Sequence, residues 1–158
     1  MCGLGRPHLT NLYETEQISP GRRRVPDALR GGPGPYSLQA AIAALHASAP
    51  RARDTDWRQI AGLFDELARR QPTPIVALNR AVAIAMWQGP EAGLALIDPL
   101  ADPLAGYHLW HAARADLLRR LGRHREAAAA YRAALAHVGS APERRFLEGR
   151  LAEAEARR

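Results

Sequence analysis

From residue 36 onward the apolar residues recur at intervals of three and four, the spacing that lines one face of an α-helix. The stretch 36–49 begins after Pro35 and stops before Pro50, and it predicts a first helix. A second spans about 55–71, where Trp57, Ile60, Ala61, Phe64, Leu67 and Ala68 form one apolar stripe. Asp54 or Thr55 is its expected N-cap. A third starts at Thr73-Pro74, a capping residue followed by a first-turn proline, and runs to Gln88 before Gly89. A fourth starts at Pro90-Glu91 and fades near Pro99.

After the Asp102-Pro103 turn, a fifth helix covers about 107–121 and stops at Gly122, a residue suited to the left-handed terminator position. A sixth covers 124–138, with Ala127, Tyr131, Ala134, Leu135 and Val138 on one face. Ser140-Ala-Pro-Glu143 fits a capping box and opens a last helix to about Arg157 that buries Phe146, Leu147 and Leu151. No segment alternates in the manner of a strand. The expected fold is all-α, with about seven helices.

These helices repeat. A shift of 34 residues lays Ala81 on Ala115, Ile84 on Leu118, Gly93 on Ala127, Ile97 on Tyr131 and Leu100 on Ala134. That is the tetratricopeptide period. Small residues fall where two antiparallel helices must approach, and large ones where successive pairs meet. The best unit is 108–141; His111, Arg114 and Gly139 depart from the motif there. The architecture expected is a tetratricopeptide-like stack of antiparallel helix pairs over 36–158, closed by a capping C-terminal helix. Residues 1–35, with five prolines and a Gly31-Gly32-Pro33-Gly34-Pro35 cluster, read as an irregular arm and linker.

The 158 residues amount to about one domain. A hydrophobic share of 47% against 24% charged excludes a mainly disordered chain. One cysteine, Cys2, excludes a disulfide scaffold. No apolar run is long enough to span a bilayer, and the first residues lack a secretory signal, so the expected location is cytoplasmic with no membrane contact. The net charge of +6 comes from 22 basic residues, all arginine. Acids are interspersed among them, and only Arg22–Arg24 is dense. Direct DNA binding is therefore not the leading expectation, since a basic stripe on one face is its usual footprint.

Candidate chemistry is sparse. His108 and His111 lie three apart on one helix, half of a metal site with His46 as a conceivable third ligand. The plainer reading is polar residues at a helix start, and no metal is assigned. Gly3-x-Gly5 follows no strand and is no dinucleotide loop. Asp54-x-Asp56 reads as helix capping rather than a catalytic carboxylate pair. No catalytic residue and no cofactor is expected, and the chain reads as a non-enzyme. In the repeat frame Gln39, His46, Asn79, Met86, Asp116 and Arg119 face the concave side, where such stacks hold a protein segment. Arg144 and Arg145 at a helix start oppose its dipole and suggest acidic partners within the stack.

Several segments are similar to those of a known family. They are Pro35-Tyr-Ser-Leu-Gln-Ala-Ala-Ile-Ala-Ala-Leu-His-Ala47, Asp54-Thr-Asp-Trp57, Val76-Ala-Leu-Asn-Arg-Ala-Val-Ala83, Gly106-Tyr-His-Leu109 and Glu143-Arg-Arg-Phe-Leu147. Together they resemble the C-terminal tetratricopeptide-like extension of one group of extracytoplasmic-function RNA polymerase sigma factors, over about 28–155. The resemblance implies a regulatory domain that tunes transcription initiation by docking a protein partner: a sigma factor, core RNA polymerase or a signalling protein. Nothing here resembles the two upstream domains that bind polymerase and promoter DNA, so the chain reads as the detached extension, as from a truncated gene. The alternative is a non-specific nucleic-acid-binding helical domain using Arg22–Arg24 and the arginines of the last helices.

Overall fold

The structure, a computed structural model, describes residues 34–51 and 54–157. Among them are seven α-helices: α1 (Pro35–Ser48), α2 (Trp57–Arg70), α3 (Pro74–Gln88), α4 (Pro90–Ile97), α5 (His108–Arg120), α6 (His124–His137) and α7 (Ala141–Glu155). A 3-10 turn, Asp98–Leu100, follows α4, and no strand occurs among the described residues. The protein is all-α. The Arg22–Arg24 run, Cys2, Gly3-x-Gly5 and nearly all of the 1–35 arm lie outside the described residues.

Local chemistry explains the helix ends. The Val76 N–H donates to the Thr73 hydroxyl, and Pro74 occupies the first turn of α3, where no N–H is needed. At the end of α5, Gly122 sits at φ +74°, the Arg123 N–H donates to the Leu118 carbonyl, and the Gly122 N–H donates to that of Arg119. This Schellman pattern satisfies carbonyls the helix leaves unpaired.

Two capping expectations are corrected. The cap of α2 is Asp56, which accepts from the Gln59 N–H at 2.9 Å, because the helix begins two residues later than its polar lead suggests. Ser140 makes no side-chain cap at α7; Glu143, its expected partner, turns instead toward His108 of α5.

Each helix packs on the next, and α3 also touches α5 two elements on. Contacts between opposite ends fix the antiparallel sense. His46 near the end of α1 meets Trp57 at the start of α2, and His111 near the start of α5 stacks on His137 at the end of α6. The main core runs through α3 to α7 and includes Leu78, Ile97, Trp110, Leu118, Tyr131 and Leu147. Two smaller clusters, around Trp57 and Ile60 and around Leu38, Leu67 and Val76, bind α1 and α2 to α3. Inside the main core the Trp110 indole N–H donates to the Ile97 carbonyl at 2.9 Å.

Small residues set the helix separations. A β-carbon on Gly93 would lie 2.3 Å from that of Ala85 and 3.1 Å from the Ala81 carbonyl, so α3 and α4 meet where one of them carries no side chain. Four of the five pairs related by the 34-residue shift, from Ala81 and Ala115 to Ile97 and Tyr131, are buried at both members, and in the fifth Ala134 is buried and Leu100 half-buried.

Candidate functional site

Where the sequence departs from its repeat, the structure supplies a partner. Arg114, standing where an apolar residue is expected, reaches the Asp98 carboxylate at 2.7 Å. His111 lies edge-on to Trp110, stacks at 5.5 Å on His137, and its Nε2 sits 2.7 Å from the Ala105 carbonyl. His108 Nε2 stands 3.5 Å from a Glu143 carboxylate oxygen, an ion-pair distance when the imidazole is protonated. The two histidines thus serve different neighbours. Among the described residues no group of three His, Cys, Asp or Glu side chains is placed to hold a metal ion.

Arg144 also finds a partner, though not an acid. It donates to the Leu135 and Val138 carbonyls at the end of α6, at 3.4 and 3.0 Å. Its charge therefore complements the negative end of the neighbouring helix rather than opposing its own.

Of the six residues expected on the concave side, Gln39 is exposed, and His46, Asn79, Met86 and Arg119 are half-buried. His46 packs edge-on to Trp57 at 5.1 Å. Asp116 is only 8% exposed and is held by Arg119 at 2.6 Å. The Arg119 charge also acts on the buried Tyr131 on α6. Burial first, and the Asp116 carboxylate second, push the Tyr131 phenol up to about 12, with Arg119 pulling the other way. This triad is a structural lock between α5 and α6, and it leaves Asp116 little reach toward a partner.

Sequence reasoning missed an exposed tryptophan of α3. Trp87 follows Ile84 by three residues and Ala83 by four, both buried, so its spacing places it in the core. It is 48% exposed instead. The helix stops one residue later and the chain turns at Gly89, which leaves the ring at the rim. The Arg58 guanidinium lies 5.9 Å from its centroid, and Arg120 of α5 lies 3.6 Å from the sulfur of the adjacent Met86. The proximity of Gln88-Gly89 was the available signal. Tyr36 and Ile75 are the other large apolar side chains left exposed among the described residues.

No helix of the described residues is long and apolar enough to cross a membrane. No family model matches the chain. A comparison with curated proteins matches it to an uncharacterised protein of Rhizobium meliloti (strain 1021), 49% identical over 141 residues. The match takes in 89% of this chain and 33% of that protein, so the chain spans about a third of the length of its curated relative.

Proposed function

We propose that this chain is a tetratricopeptide-like docking domain of the extracytoplasmic-function sigma-factor family, which regulates transcription initiation in the cytoplasm by holding a protein partner. The observation that supports it best is that four of the five aligned pairs of the 34-residue shift are buried at both members, the fifth, Leu100 with Ala134, being buried at Ala134 alone. Stacks of this kind bury the walls between repeats and leave a continuous surface for a peptide. The Rhizobium relative, about three times as long as the region it shares, has the length for further domains beside one of this kind. Promoter recognition is not assigned to this chain, nor is any catalytic step.

The alternative, direct nucleic-acid binding by the arginines of the last helices, draws less support. Arg132 pairs with Glu155, Arg150 with Glu153, and Arg144 with backbone carbonyls. The discriminating experiment immobilises the purified chain and passes over it core RNA polymerase, a sigma factor of this family and duplex DNA, each through a salt series. The expected result is saturable protein binding with a shallow salt dependence. Binding of duplex DNA alone, falling steeply with salt as counterion release requires, overturns the proposal.

A further inference from the structure

We infer that the end of the stack where α2 begins and α3 and α5 finish is the docking surface, and that its partner is an acidic segment carrying a large apolar side chain. The inference rests on the protein-docking reading above and names the surface and its chemistry. Consecutive residues on α3, Met86 and Trp87, supply the apolar floor. Arg58 reaches Trp87 from α2, and Arg120 reaches Met86 from α5, so the two cations flank the floor from different helices.

The patch joins unpaired cations to an exposed indole and the adjacent Met86 sulfur. Eight arginines elsewhere are paired with carboxylates. Arg58 and Arg120, like Arg51, Arg125, Arg145 and Arg157, have no carboxylate partner among the described residues, but these two lie against the Trp87 ring and the Met86 sulfur, and both side chains are exposed. Asp56, the acid nearest Arg58 in sequence, is engaged by the Gln59 N–H at the start of α2. Uncompensated cations beside an exposed indole match a segment that brings carboxylates and a Leu-like or Phe-like side chain together. An exposed tryptophan beside an arginine is also the type of anchor on which interface energy concentrates. Single-stranded nucleic acid is the poorer fit: its binders stack successive bases on several aromatics, and this patch has one.

Trp57 and Trp110 are only 8% and 7% exposed, so Trp87 dominates the quenchable tryptophan emission of the protein. The probe is a peptide of Asp-Leu-Glu-Phe repeats, compared with a twin carrying lysine at each acid and with oligothymidylate. The acidic peptide is expected to shield Trp87 from iodide quenching. By anisotropy of the labelled peptide, Trp87→Ala and Arg120→Glu are expected to weaken binding about tenfold, in the range of an interface anchor, with melting temperature unchanged. Arg58→Glu should act in the same direction.

Failure of the acidic peptide to bind, or equal binding of its lysine twin, overturns the inference. Binding that survives in all three variants overturns this surface but leaves protein docking standing. Binding of oligothymidylate alone overturns both.

Discussion

At the scale of single residues, two positions carry more than their size suggests. Gly93 lets α4 lie directly on α3, and an added β-carbon would meet backbone as well as the Ala85 side chain. Gly93→Ala gains up to about 1 kcal/mol of helix propensity. Overpacking of this kind costs about 1–3 kcal/mol, and here the neighbour is backbone that cannot turn aside. The net expectation is a destabilised protein with a lower denaturation midpoint; an unchanged or raised midpoint contradicts the close approach.

Tyr131 makes a pH prediction with a definite sign. Its phenol loses its proton near 10 when unfolded and near 12 when folded. The folded protein therefore holds the proton longer, and this contribution is complete below about pH 10 and disappears as pH rises through 12. Its ceiling is about 2–3 kcal/mol, from two units at 1.36 kcal/mol each. Stability should fall over that alkaline window, and Tyr131→Phe should flatten the fall. An equally steep fall in that variant places the titrating group elsewhere.

At the scale of elements, the helices themselves were legible because punctuation and period agree. Thr73-Pro74, Gln88-Gly89 and Gly122 bracket stretches whose apolar residues keep one face. The boundaries that slipped depend on competition between polar residues. Asp54, Thr55 and Asp56 all suit an N-cap, and Asp56 takes the position with Trp57, which packs on His46 of α1, as the first helical residue. Ser140 and Glu143 read as a capping box, but Glu143 lies within reach of His108 across the helix boundary.

Arg144 belongs to the same lesson. A cation at a helix start is unfavourable in one dimension, yet the start of α7 adjoins the end of α6, where carbonyls need donors. Arg144→Ala is expected to cost about 1 kcal/mol. In a chain of this length that lowers the melting temperature by about 2–4 °C. An unchanged melt shows that water caps α6 equally well.

At the scale of the whole molecule, neighbours in sequence are neighbours in space, so an all-α stack of consecutive helices could be read from the helical period. What could not be read was which polar residues remain available once the helices pack. Asp116 and Arg119 occupy groove positions in the repeat frame, and the structure turns them inward on each other and on Tyr131. Trp87, whose spacing marks it as core, stands at the rim beside Arg58. Periodicity reports which face of a helix is apolar; it does not report where that face runs out of neighbours.

Amide hydrogen exchange of the chain, alone and with sigma factor bound to core RNA polymerase, tests the docking account most directly. The account predicts that the partner slows exchange at the start of α2 and the ends of α3 and α5, while α6 stays unchanged. Exchange that is identical with and without these proteins, together with slowing by duplex DNA, contradicts it.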